Sequence, residues 1–169
     1  MSLKHPLASL FLPSILLSAV SLIAAEADSI PGDFRLCAQY GPGFSDWKPW
    51  KVTIFADGKA LQEVYPSRLG KEATTEKTEK TSTLTMPQLQ ELVAATRTSR
   101  FSALKELYSY PVTDNPTLTL RVTMDGSSQE VKVYAPGHLK DNAEVKRFMK
   151  VWNIVLKHIP APNAEQKTE

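Results

Sequence analysis

Cys37 is the only cysteine of the chain, and His138 and His158 are the two histidines beyond its N-terminal segment. A thiol becomes a nucleophile when a nearby base or cation lowers its pKa. Cys37 with His138 is therefore the pairing from which cysteine-dependent chemistry could be built, although no catalytic signature surrounds either residue. A zinc site needs three or four Cys, His or carboxylate ligands, which two dispersed histidines and a distant cysteine do not supply. Cys-x-x-Cys, His-Glu-x-x-His, Gly-x-Ser-x-Gly, Gly-rich phosphate-loop and EF-hand patterns are absent from the sequence. The residues thus predict no catalytic set, no metal and no cofactor. His158, beside Lys157 near the end of a predicted helix, suits the negative end of the helix dipole.

Two other groups of residues could bind rather than react. Trp47 and Trp50, with Tyr40 close before them, are candidates for an interaction surface, since exposed aromatics anchor partners. Packing against a sheet is the alternative for both tryptophans. Lys146, Arg147, Lys150 and Lys157 line the polar side of the last predicted helix. They read as a solvated face, with contact to anionic lipid or cell-wall polymer as the alternative.

The N-terminal segment has a targeting pattern. Lys4 is followed by an uncharged apolar run from Leu10 to Ala25, and Ala25 and Ala27 form an A-x-A arrangement before Asp28. These are the parts of a secretory signal peptide over residues 1–27, cut between Ala27 and Asp28. The run is short of the about 20 apolar residues that a membrane span needs, and Pro13 interrupts it. An uncleaved anchor is the alternative. The predicted product is exported, periplasmic or secreted, monomeric and without a membrane span. The whole chain carries 20 basic and 18 acidic residues, and the leader removes one of each, so the net charge stays at +2. That balance lacks the basic field of a nucleic-acid binder. Residues 28–169 can bury roughly two-thirds of their unfolded surface, enough to fold without a disulfide or metal.

The elements that must position these residues follow from periodicity. Val52 and Ile54 alternate with polar neighbours before Asp57-Gly58, and Leu118, Leu120, Val122 and Met124 do so before Asp125-Gly126. Strand, Asp-Gly, strand predicts a β-hairpin in each case. Thr85 and Gln88 form a capping box ahead of Leu89, Leu92, Val93 and Thr96. Phe101, Leu104 and Leu107 suit a short helical or turn segment facing inward. Asp141 is the predicted cap of a second helix with Val145, Phe148, Met149, Trp152, Val155, Leu156 and Ile159 on its apolar face. The Thr/Lys/Glu-rich stretch from Ser67 to Thr85 reads as an exposed loop, with Lys77 to Leu84 as an edge strand. An N-terminal strand from Arg35 would put Cys37 on the face opposite Phe34, Leu36 and Ala38. The reading is one small α+β domain over residues 28–160, followed by a disordered tail over 161–169. Its antiparallel sheet comprises two strand-DG-strand hairpins plus the N-terminal strand, with two helices on one face. The two hairpin-helix units hint at an internal duplication.

Val52-Thr53-Ile54 with Asp57-Gly58, then Phe101, Leu104-Lys105 and Tyr108, then Val112-Thr113-Asp114 with Pro116, carry a resemblance. In that order they resemble a bacterial domain-of-unknown-function family of secreted proteins and lipoproteins, over about Phe34 to Ile159. The resemblance implies export and a small α+β domain, and no activity. The family pattern opens with a two-cysteine turn, of which Cys37 and Gly41 match the first part, while Phe44 to Pro49 replaces the second cysteine. Cys37 then remains either a half-buried relic thiol or an exposed one able to bridge two chains. The functional expectation is a non-catalytic binding module of the cell envelope, meeting an envelope protein or polymer. A Cys37-dependent enzyme and an inhibitor of a secreted enzyme are the alternatives.

Overall fold

The computed structural model describes residues 29–67 and 76–162. The cleavage site at Ala27 and Asp28 and the tail past Pro162 lie outside the described residues. In chain order the strands are β1 (Arg35–Gly41), β2 (Trp50–Phe55), β3 (Lys59–Val64) and β4 (Thr78–Thr83), followed by helix α1 (Met86–Thr98). Then come β5 (Leu107–Ser109), β6 (Thr117–Met124), β7 (Ser127–Tyr134) and helix α2 (Ala143–His158). Short 3-10 turns over Phe101–Ala103 and Pro136–His138 lead into β5 and α2.

The strands form one seven-stranded sheet in the order β4-β3-β2-β1-β6-β7-β5. All neighbours are antiparallel except β5 and β7, which run parallel. β1, the first strand, sits in the middle. Its Leu36 and Ala38 are fully buried and lie opposite Ile54 and Val52 on one side and Val122 and Leu120 on the other. The period of two sends that row toward the helices. Leu89, Leu92 and Val93 of α1 and Val145, Phe148, Val151, Trp152 and Val155 of α2 close the same core. This is the predicted α+β domain.

The Asp-Gly pairs make two different turns. Asp125 and Gly126 both have positive φ, at 54° and 75°, and form the two central residues of a tight hairpin between Met124 and Ser127. At the first hairpin only Gly58 is left-handed, with φ 82°. A Cβ on Gly58 would stand 2.7 Å from the Leu84 carbonyl oxygen, so glycine is needed there for space as well as conformation. The Asp33 carboxylate accepts hydrogen bonds from the Asp125 and Gly126 amides at 3.1 and 2.7 Å, tying the start of the domain to the second turn.

Three local expectations need correction. The chain leaves its 3-10 turn at Leu104 in an extended conformation, so the helical period that placed Leu107 inward stops there. Leu107 is exposed, and Tyr108 is buried in its place on β5. The cap of α2 is Asn142, whose Oδ1 accepts from the Glu144 and Val145 amides; Asp141 lies outside the helix. The duplication does not hold either. β2 and β6 flank β1, both antiparallel to it, and the hairpins extend from it in opposite directions beneath helices on one face. No rotation superposes two such units without reversing strand direction or changing the face.

Removing residues 29–41 takes away the central strand and leaves β2 and β6 as long unpaired edges. Such a fragment is expected to lose cooperative thermal unfolding and to aggregate. Calorimetry and size-exclusion chromatography check this, and a monomeric fragment with a sharp transition would contradict the central role of β1.

Candidate functional site

The register places the loops 42–49, 110–116 and 135–142 at one end of the sheet, where Gly41, Trp50, Val64, Thr78, Ser109, Thr117 and Tyr134 end or begin their strands; the part of the Ser67 to Thr85 stretch over residues 68–75 lies outside the described residues. The three predicted interaction residues lie there but divide. Trp50 starts β2 and is 2% exposed. It stacks on Tyr40 with centroids 5.8 Å apart and meets Trp152 of α2 at 5.4 Å, so it belongs to the core. Tyr40 is half-buried, and burial raises its hydroxyl above the usual tyrosine range. Trp47 tilts against Tyr40 at 6.2 Å and remains 49% exposed. Phe44, which the sequence reading did not single out, is 71% exposed on the same loop. Its position between Gly43 and Ser45, with prolines on both sides, was the signal available.

This loop is anchored. Gly43 has φ 67°, and a Cβ there would stand 2.6 Å from the Asn115 carbonyl oxygen, so the backbone lies directly on the 110–116 loop. That second loop is pinned by Tyr134, whose hydroxyl donates to Val112 O at 2.8 Å and accepts from the Asn115 amide at 3.3 Å. Ser45 Oγ donates to Pro42 O at 3.1 Å. A cleft of about 320 Å³ opens beside the loop, lined by Gln39, Tyr40, Gly43, Ser45 and Thr117 among others and by no charged residue.

The thiol and the imidazoles are not brought together. Cys37 is half-buried in mid-β1 on the face away from the helices, between Thr53 and Arg121. His138 stacks on Tyr110 at the end of the sheet, with centroids 4.8 Å apart. His158 Nε2 lies 2.8 Å from Glu91 Oε2, with Lys157 Nζ on the same carboxylate at 2.6 Å. Hydrogen bonds from Lys157 and His158 hold Glu91 below the usual carboxylate range. No group of three or more His, Cys, Asp or Glu that could hold a metal occurs among the described residues. No described helix is long and apolar enough to cross a membrane.

Lys146, Lys150 and Lys157 of α2 are solvent-exposed and Arg147 is half-buried, and three of the four also reach other elements. Arg147 donates to Ser99 O at 2.6 Å and to Arg100 O at 2.7 Å. Lys150 donates to Thr98 Oγ1 at 3.1 Å, and Lys157 pairs with Glu91. These three tie α2 to α1 and its exit, and Arg147 does so by donating to backbone carbonyls past the end of α1. Lys146 reaches only the exposed Asp141, at 4.0 Å.

Residues 42–152 match a family described as Domain of unknown function (DUF6438). The chain belongs to this family. None of the curated proteins searched matches it. The match begins one residue past β1, so the strand at the middle of the sheet lies outside it. The residues that carried the resemblance build the scaffold. Phe101, Leu104 and Tyr108 are buried, and the Tyr108 hydroxyl accepts from the Lys105 amide at 2.9 Å. Val112 and Asp114 shape the loop that Tyr134 pins, with Asp114 at φ 60°.

On the other face of the sheet, Glu63 is 6% exposed. Its carboxylate receives Lys51 at 2.6 Å and Lys77 at 2.9 Å, and Lys77 also pairs with Glu79. Hydrogen bonds from these two lysines hold the Glu63 carboxyl down at about 2. Because its folded value lies below its ordinary one, ionised Glu63 stabilises the fold above about pH 4–5 and loses that contribution as pH falls toward 2. Glu63→Gln is expected to cost about 1–2 kcal/mol at pH 7, the lysines being partly solvated, and much less near pH 2.5. Urea unfolding of both proteins at the two pH values checks the difference, which the other carboxylates leave untouched.

Proposed function

We propose that this member of the family is exported from a bacterial cell and serves there as a non-catalytic binding module, meeting an envelope protein or polymer through its 42–49 loop. The observation that carries the binding role is the exposure of Phe44 and Trp47, at 71% and 49%, on a loop whose backbone is fixed by Gly43. Large aromatics on a pre-ordered loop lose little entropy on docking, which favours recognition. The uncharged cleft beside them offers polar groups for orientation. An inhibitor of a secreted enzyme would use the same projecting loop. Cysteine chemistry has less support, since His138, the base proposed for it, stacks on Tyr110 at the end of the sheet while Cys37 lies in mid-β1. Support for export comes from Lys4, the apolar run and the Ala25-x-Ala27 pattern.

N-terminal sequencing of the product from its own host is expected to begin at Asp28, and an intact Met1 would sink the cleavage. Phe44→Ser with Trp47→Ser should leave Tm within about 2 °C, as exposed substitutions do. The same pair should abolish crosslinking to envelope extracts. Trp50→Ala, by contrast, should cost about 3–5 kcal/mol of stability. Equal crosslinking by the double variant and the unchanged protein would refute the loop as the binding surface.

A further inference from the structure

A second cavity lies at the opposite end of the sheet, between the exit of α1 and the β6–β7 turn, with a volume of about 430 Å³. That is within the range of small-ligand sites, roughly 300–1,000 Å³. Phe101, Val122 and Met124 give it an apolar floor, and Arg97, Arg100 and Asp125 stand among its polar lining. Arg97 is engaged, donating to Ser29 O at 3.3 Å and lying 3.8 Å from Asp125.

Arg100 is different. It follows the C-terminal cap of α1 in the left-handed conformation, φ 46° and ψ 51°, where helices ordinarily place glycine. Its amide donates to Arg97 O at 2.9 Å and its carbonyl accepts from Arg147 at 2.7 Å. Both are backbone bonds that glycine would make without strain. The guanidinium has no hydrogen bond or ion pair among the described residues. Arg100 thus holds a left-handed backbone while its charged group meets no partner among the described residues. Strain of this kind is a pointer to function.

We infer that this cavity binds a small monocarboxylate with an apolar body, its head group meeting Arg100 and its body lying on Phe101, Val122 and Met124. Two arginines against one aspartate leave a single positive charge at the mouth, which suits one carboxylate better than a doubly charged anion. The apolar floor disfavours a fully hydrated inorganic ion and rewards a hydrocarbon chain.

The test uses the whole protein with decanoate as probe, followed by calorimetry and by the NMR signal of the Met124 methyl. Decanoate is expected to bind saturably and to shift that methyl, while acetate, decanol and inorganic phosphate each bind at least about tenfold more weakly, having lost the chain, the charge or the single head group. Arg100→Gly should weaken decanoate by about tenfold, the loss of one charge-assisted contact, without lowering Tm. A structural role for the side chain would lower Tm instead. Absence of saturable decanoate binding, equal binding of phosphate, or undiminished binding by Arg100→Gly would each overturn the assignment. None of these outcomes bears on the 42–49 loop, which lies at the other end of the sheet.

Discussion

Both edges of β1 are occupied by hydrogen bonds, to β2 on one side and β6 on the other, and this double pairing is the constraint on which the rest of the fold depends. Without it the sheet is two separate three-stranded pieces, each with a long edge open to solvent. Leu36 and Ala38 are the middle of a continuous apolar row that runs from Ala60 and Ile54 through β1 to Leu120 and Val131. The helices rest on that row. Asp33 strengthens the arrangement just ahead of β1 by binding the amides of the β6–β7 turn, more than 90 positions away in the chain. Pairings of such separation bring ordering entropy that local helix and hairpin formation do not.

With β1 in place, the remaining polar groups divide into those that hold the scaffold and those that do not. Arg147, Lys150 and Lys157 look like surface charge on a helical wheel, yet each reaches across to α1 or the turn that follows it. Glu63 looks like an exposed strand residue, yet two lysines enclose it. Tyr108 and Tyr134 bury their rings wholly or partly and use their hydroxyls to satisfy backbone groups of irregular segments. The candidate binding groups lie at the two ends of the sheet. Phe44 and Trp47 project from the loop at one end, and Arg100 borders the cavity at the other. Loops carried on a rigid sheet can expose such groups because the sheet, not the loop, supplies the stability.

Much of the fold was legible in residue order. Alternation in Val52 to Ile54 and Leu118 to Met124 identified strands, because a period of two allows one buried face. The spacing of Val145, Phe148, Trp152 and Val155 identified α2 for the corresponding helical reason. Local reading failed where one period gave way to another, at Leu104, and so mistook Leu107 for the inward residue that Tyr108 is. It also missed the parallel pairing of β5 with β7, since three residues of strand carry too little pattern to be recognised alone. Of the candidate surface, Trp47 was legible and Phe44 was overlooked, while Trp50 proved to be core.

The sequence by itself determined the element types, the Asp-Gly turns, the apolar faces and the lack of a partner for Cys37 within its own chain. These are local properties, set by side-chain period, backbone sterics and composition. Only the tertiary structure decided that the first strand would lie in the middle, and that three of the four α2 cations would be consumed by α1 and its exit. It also decided which tryptophan would face solvent and that Arg100 would border a cavity. Each of those depends on contacts between residues tens of positions apart, and neither propensity nor spacing encodes which distant group will be there to meet them.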